Sequence, residues 1–386
     1  MKIGIVCYPT YGGSGVVATE LGKALAAKGH QVHFITYSVP VRLGSLRKNI
    51  SYHEVSVSDY PLFDYQPYEL VLTSKMVDVV KNEELDLLHV HYAIPHASAA
   101  VMAKQILASQ GVNIPIVTTL HGTDITLVGR DASFEPVITF AINNSDAVTA
   151  VSESLRQDTF NHFAVDREID VIPNFINLNR YRMADDVEEL RSAYAEPGEF
   201  IITHISNFRP VKRVDDVVRV FDRIRKQIPA RLLLVGDGPE RYRVEQLCRE
   251  LGACNQVKVL GKLKSTEQVL SISDLFLLTS ETESFGLAAL ESMACGVPVI
   301  STNTGGTPEV NQHNVSGFLA RVGDVDAMAD YAIGLLSSPK QLKRFGKQAR
   351  KRAEDFDVDN VLHQYERLYE SVMEKVELAP KKTLTS

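Results

Sequence analysis

The chain lacks three things: a C-x-x-C pair, a long apolar run and an excess of positive charge. Each absence removes a class of function. The four cysteines, Cys7, Cys248, Cys254 and Cys295, are dispersed. Cys7 and Cys295 lie in apolar settings, which predicts buried thiols in a reducing compartment. No apolar run approaches the ~18 residues of a membrane span, and no leader-like segment precedes the first apolar strand. A cytoplasmic protein without a membrane span is therefore expected. The net charge of -7 argues against nucleic acid as a partner, because phosphate backbones require clustered cations. A local basic patch can still hide in an acidic total, so peripheral membrane contact stays open. Also missing is a G-x-G-x-x-G turn with a suitably placed ribose acid, which disfavours a nicotinamide-dependent dehydrogenase.

What is present is alternation. With 386 residues the chain is long enough for two α/β domains with sizeable cores. Residues 1–8 read as a buried strand entering Gly12-Gly13-Ser14-Gly15 and then a helix closed by Gly29. Strand, glycine turn and helix open a Rossmann-like unit, with helix N–H groups aimed at whatever lies above the turn. Further strands are predicted at residues 31–36, 49–57, 86–91, 114–120 and 146–152, and helices at residues 68–81, 95–110 and 153–163, the last capped by Ser152. The polar segment 179–198 reads as a linker. The pattern then restarts at Phe200, with strands at residues 200–205, 231–235, 257–262, 274–280 and 297–301 and a helix over 214–227. Such regular alternation implies doubly wound, mostly parallel sheets.

Several turns carry chemistry. Glu283 lies in the turn after the strand 274–280, and Glu291 about two helical turns further on. At ~1.5 Å rise per residue the two carboxylates are on the order of 10 Å apart, which suits the two ends of one elongated ligand. Spacing alone equally suits a solvated loop acid and a helix acid complementing the dipole. Gly286 allows close backbone approach before a helix amino terminus. Arg209 and Lys212 stand at a strand end before another helix amino terminus. Cations there oppose the helix dipole, so a diphosphate is the natural partner. His121 follows a strand and precedes a glycine; an isolated histidine in that place can equally be structural. Arg130 suits a carboxylate, or is a surface arginine.

The run Glu283 to Glu291, with Gly305-Gly306 and Glu309 downstream, resembles the E-x7-E signature of family 4 glycosyltransferases. These are retaining, nucleotide-sugar-dependent enzymes of the GT-B type, with two Rossmann-like domains and a C-terminal helix crossing back to the first. His121-Gly122-Thr123-Asp124 and Arg209…Lys212 also match. Pro173-Asn174-Phe175-Ile176-Asn177 resembles the family's Pro-Asn-Gly-Val-Asp, with Phe175 in place of glycine. The resemblance implies an acceptor domain over 1–172 plus a crossover helix at about 357–378, a donor domain over 173–356, and a disordered tail at 379–386. It implies that His121 lies under the donor sugar, that Glu283 holds sugar hydroxyls and that Glu291 holds the ribose. Arg209, Lys212 and the amides of Phe285, Gly286 and Leu287 would hold the diphosphate. Further donor contacts are implied at Gly15, Asn207, Gly236, Lys262 and Leu263. Acceptor contacts are implied at Ser14, Gly15, Tyr92, Thr119 and Arg130.

The stretches 7–15, 121–130 and 206–213 further resemble the branch that joins N-acetylglucosamine from UDP-GlcNAc to L-malate at the start of bacillithiol synthesis. A homodimer is the expected assembly. The candidate ligand turns carry no Asp-x-Asp metal signature, so no metal and no cofactor is expected. Two other readings remain at this level. One is a family member with a lipid-linked or polysaccharide acceptor, which the basic residues Arg42, Arg47 and Lys48 would suit. The other is a sugar-nucleotide epimerase of the same fold.

Overall fold

The computed structural model describes residues 1–44, 48–57, 66–127, 129, 131–182 and 187–378. The expectations for Arg47, for most of the loop after Val57, for Arg130 and for the tail fall outside that set. The chain forms two compact units, Met1–Pro173 with Asp359–Ser386, and Asn174–Val358.

In unit 1, β1 (Lys2–Val6) leads into α1 (Gly13–Ala27), followed by β2 (Gln31–Thr36), β3 (Ile50–Glu54), α2 (Tyr68–Glu83), β4 (Leu87–His91), α3 (Ser98–Ser109), β5 (Ile116–Leu120), α4 (Glu135–Asn143), β6 (Ala147–Ala150), α5 (Glu153–His162) and β7 (Ile169–Val171). The sheet is parallel, in the order β3-β2-β1-β4-β5-β6-β7. Both β4 and β5 are buried along their whole length, as strands covered on both faces must be. Ser152 caps α5 as expected, its hydroxyl accepting from the Leu155 amide at 3.1 Å. The helix expected from Pro95 begins instead at Ser98, after an irregular turn, Ala93–Ala97. Ile94 is extended there (φ -130°, ψ 142°), because a residue before proline is pushed out of the helical region.

Unit 2 contains α6 (Val187–Ser192), β8 (Phe200–Ile205), α7 (Val214–Arg225), β9 (Ala230–Val235), α8 (Arg241–Glu250), β10 (Val257–Gly261), α9 (Glu267–Ser271), β11 (Leu275–Leu278), α10 (Leu287–Ala294), β12 (Val299–Thr302), α11 (Thr307–Val310), β13 (Gly317–Ala320), α12 (Val325–Leu336) and α13 (Pro339–Glu354). Its parallel sheet runs β10-β9-β8-β11-β12-β13. The segment 179–198 is not a free linker. Tyr181 is 1% exposed, and Arg191 binds Asp274 and the carbonyls of Glu199 and Ile272 at 2.7–2.8 Å. The segment is therefore part of the unit's wall.

The last helix, α14 (Val358–Leu378), packs on unit 1. Its buried residues, Val361, Leu362, Tyr365, Tyr369 and Val372, recur at helical spacing and form one apolar stripe. Among the described residues no helix is long and apolar enough to cross a membrane. All four cysteines are free, with Cys7, Cys248 and Cys295 buried and Cys254 exposed.

Candidate active site

In each sheet the strand order reverses direction at one point, and ligands of doubly wound sheets bind beyond the strand ends there. The points are β1/β4 in unit 1 and β8/β11 in unit 2. Ser14, Gly15, Tyr92, Asn207, Arg209, Lys212 and Glu283 lie just past these strands, and His121, Gly236, Lys262 and Leu263 just past β5, β9 and β10.

In unit 1 the turn after β1 supplies Ser14 and Gly15. A Cβ at Gly15 would lie 2.4 Å from the Tyr8 carbonyl oxygen, so only glycine fits. The turn after β4 supplies Tyr92, whose hydroxyl donates to Ser14 Oγ at 2.7 Å. Tyr92 has φ 85°, a strained conformation of roughly 1–3 kcal/mol that the surrounding bonds impose. Its amide donates to the Thr119 carbonyl at 2.9 Å.

Beneath lies a histidine network. His91 Nδ1 and His121 Nε2 are 2.8 Å apart. His89 joins Tyr369 of α14 and Thr119, each at 2.7 Å. His96 Nδ1 donates to the His91 carbonyl at 2.6 Å. Burial drives the His89 and His121 pKa values down to about 3 and His96 to about 4, with His91 also well below its ordinary value. All four imidazoles are thus neutral, and in the His91–His121 pair one ring nitrogen donates while the other accepts. Asp124 is buried, and burial raises its pKa to about 6 against the opposing amides of Ala93 and Gly122. Those amides donate to its carboxylate at 2.8 and 3.0 Å. Thr119, expected among the acceptor contacts, lies inside the unit. It is fully buried, with its hydroxyl held between His89 and Thr149 at 2.7 Å. His91 was missed from the sequence. The His-Val-His spacing carried the signal, since residues two apart on a strand share a face, and the rings of His89 and His91 stack at 4.5 Å.

In unit 2 the turn after β8 carries Asn207, Arg209 and Lys212, and the turn after β11 carries Glu283. Lys212 Nζ donates to Glu283 Oε2 at 2.6 Å, with the two side chains 20% and 16% exposed. Arg209 is exposed, and its side chain makes no ion pair or hydrogen bond with another described residue, while its carbonyl accepts from the Lys212 amide at 2.8 Å. The Lys212 turn is bracketed by Phe208 and Arg213, both left-handed (φ 41° and 46°). Gly236 packs against it so closely that a Cβ would lie 1.7 Å from the Ser206 carbonyl oxygen. Lys262 is exposed and Leu263 partly buried just past β10.

The Glu283 turn is held from both sides. The Glu281 amide donates to the Val211 carbonyl at 2.8 Å, and the Gly306 amide to the Glu283 carbonyl at 2.9 Å. Gly286 takes φ 94° and starts α10, leaving first-turn N–H groups, including that of Leu287, without partners inside the helix. The Phe285 side chain turns inward against Phe356, ring centroids 5.6 Å apart, so only its backbone faces the turn. Glu291, expected to hold the ribose, is enclosed within unit 2. It is 5% exposed and accepts from the Tyr181 hydroxyl at 2.6 Å and from Thr266 at 3.3 Å.

Gly305 has φ 54°, and a Cβ there would lie 2.1 Å from the Glu283 carbonyl oxygen. Gly305→Ala should therefore displace Glu283 while lowering stability by roughly 1–2 kcal/mol for the left-handed alanine alone. Turnover should fall further than in a variant destabilised equally elsewhere. Paired kcat and Tm measurements check this; unchanged turnover would detach Glu283 from the chemistry.

Residues 11–180 match the model described as Glycosyltransferase Family 4, and residues 186–352 match Glycosyl transferases group 1. An N-acetyl-alpha-D-glucosaminyl L-malate synthase from Bacillus anthracis is 49% identical over 375 residues, covering 97% of each chain. The chain belongs to glycosyltransferase family 4. The transferase shares its fold with Anabaena HepE, solved with UDP and glucose, at 22% identity and a TM-score of 0.81 over 96% of this chain and 100% of that one. Sucrose-phosphate synthase from Thermosynechococcus elongatus is similar at 22% identity and a TM-score of 0.80, over 97% and 100% of the two chains. Both carry the GT-B architecture of two parallel-sheet units, and the transferase has it too.

Proposed function

We propose that this transferase moves N-acetylglucosamine from UDP-GlcNAc to the hydroxyl of L-malate with retention, giving GlcNAc-α-malate and UDP, the first step of bacillithiol synthesis. The observation that carries the reading is the 49% identity, across nearly the whole chain, to the Bacillus anthracis malate synthase. The unit 2 geometry supports the donor half. Arg209 and Lys212 take the diphosphate, assisted by backbone at Asn207, Gly236 and Phe285–Leu287. The Lys212–Glu283 pair opens as phosphate replaces the carboxylate at Lys212, freeing Glu283 for sugar hydroxyls. Glu291, fixed in orientation by Tyr181 and Thr266, takes the ribose, and backbone near Lys262 and Leu263 the base. In unit 1, Ser14, Gly15, Tyr92 and Arg130 take the malate carboxylates, and neutral His121 a sugar hydroxyl.

In the transfer, the bond between the anomeric carbon and the phosphate oxygen breaks. The malate oxygen bonds to the same face, and its proton passes to the departing phosphate oxygen. Two cations and helix amides carry the growing charge, so no metal is required. The enzyme acts in the cytoplasm as a homodimer, a state that light scattering measures.

UDP release from UDP-GlcNAc in EDTA, with and without L-malate, tests the reading. Release should require malate and survive EDTA. Release only with lipid or glycan acceptors would remove malate, and release with no acceptor would point to an epimerase or hydrolase.

A further inference from the structure

Far from these turns, three side chains of unit 1 converge with no role in sugar transfer. In the β2–β3 ladder Ile35 faces His53 and Ser51 faces His33, so the two histidines are diagonal neighbours on one face of the sheet. Their rings stack at 5.3 Å, with 18° between planes, and His33 Nδ1 lies 3.0 Å from His53 Nε2. The third is Glu83, the last residue of α2. One ligand atom from each of the three lies within 4.8 Å of the others. Neighbouring Glu84 pairs with Lys2 at 3.1 Å, whereas the Glu83 carboxylate has no hydrogen bond or ion pair among the described residues.

We propose that His33, His53 and Glu83 bind one divalent transition metal ion of the zinc class, with solvent completing its shell. Zinc–nitrogen bonds of ~2.0–2.1 Å at a tetrahedral ion set two ligand nitrogens about 3.3 Å apart. The two imidazoles already stand near that separation. Glu83, half-buried at a helix end, closes the remaining gap by a side-chain rotation. Two nitrogens and one carboxylate suit zinc, not calcium or magnesium, which take oxygen shells. Two cations stand near, Lys2 Nζ donating to the Glu83 carbonyl at 3.0 Å and Lys75 close enough to act on His53, and the ligand bonds must outweigh their repulsion of a dication. The carbonyl end of α2 contributes partial negative charge in return. The ion would clip β3, among the described residues a sheet edge paired on one side only, to β2 and α2. In the ladder His33 faces Gly4, midway along β1, and Glu83 precedes β4, while Ser14 and Tyr92 follow strand ends. The site is therefore structural and independent of the proposed transfer, and EDTA should leave turnover intact.

The test uses full-length protein without a polyhistidine tag, stripped with chelator, titrated with Zn2+ by calorimetry and followed by thermal unfolding. We expect one Zn2+ per chain and a rise in Tm. His53→Gln and Glu83→Gln, both at partly exposed positions, should each weaken binding roughly tenfold or more and remove most of the rise. His363→Gln, on a side chain 61% exposed, should leave both unchanged. A Co2+ absorption band in the visible that disappears in Glu83→Gln gives a readout independent of stability. Absence of saturable binding, or binding that survives both substitutions, would overturn the site and leave a neutral histidine–histidine hydrogen bond.

Discussion

Lys212→Ala is expected to lower kcat by roughly 10²-fold or more, with a smaller change in KM and a fold that remains intact. The direction follows from where charge appears. Ground-state diphosphate is already anionic, but the leaving phosphate gains further charge as its bond to the sugar breaks. An ammonium held against it therefore binds the transition state better than the substrate, and its loss appears in turnover. The turn that carries Lys212 is fixed by tertiary contacts, not by propensity. Thr279 Oγ1 lies 3.0 Å from the carbonyls of both Lys212 and Arg213, tying the end of β11 to the cation's own turn. Its removal also leaves Glu283 without the partner that holds it at 2.6 Å. Lys212→Arg should recover part of the loss because it keeps the charge. Arg209→Ala should act in the same sense with less effect on Glu283, since the Arg209 side chain makes no ion pair or hydrogen bond with a described residue. Steady-state kinetics on the three variants checks the ordering; near-normal turnover in Lys212→Ala would remove the diphosphate role.

The fold was legible because its strands are short apolar runs alternating with helical runs. Those runs needed only local pattern, and their parallel pairing follows from the helices between them. The turn carrying Arg209 and Lys212 was legible for a similar reason, since a cation ahead of a helix amino terminus is a local anomaly whatever the tertiary structure. What escaped the sequence depends on contacts remote along the chain. Glu291 reads as an exposed helix acid until Tyr181, on the far side of the unit's sequence, covers it. Thr119 reads as a strand-end hydroxyl until His89 and Thr149 enclose it. His89 reads as an ordinary buried strand residue, and its partner Tyr369 lies in the last helix. The segment 179–198 is polar because its side chains bond unit 2, a property that composition shares with free linkers.

Acidification from pH 7 toward pH 5 is expected to unfold unit 1 before unit 2. Unit 1 buries His89, His91, His96 and His121 as neutral imidazoles, with pKa values pushed down by burial, to about 3 for His89 and His121 and about 4 for His96. Unit 2 has one such group, His204, at about 4. A folded pKa below the ordinary value of 6.5 means that the unfolded chain takes up protons that the native state refuses. Stability is therefore complete above about pH 6.5 and is lost as pH falls toward the folded values. Each histidine contributes about 1.4 kcal/mol per pH unit in that window. Asp124 opposes this, because its folded pKa of about 6 lets the native state bind a proton first between about pH 6 and 4. One carboxyl offsets about one histidine, so roughly three remain. That is about 4 kcal/mol per pH unit against a typical domain stability of ~5–15 kcal/mol. Calorimetry at pH 7, 6 and 5 should show one transition moving down much faster than the other, and hydrogen exchange should assign the faster one to β4 and β5. A common shift, or earlier exchange in β8 and β11, would contradict the neutral network. Since the same imidazoles underlie Ser14 and Tyr92, activity lost below pH 6 should coincide with this opening. A separate histidine titration in the folded enzyme would require His121 to accept a proton that His91 and its buried surroundings exclude.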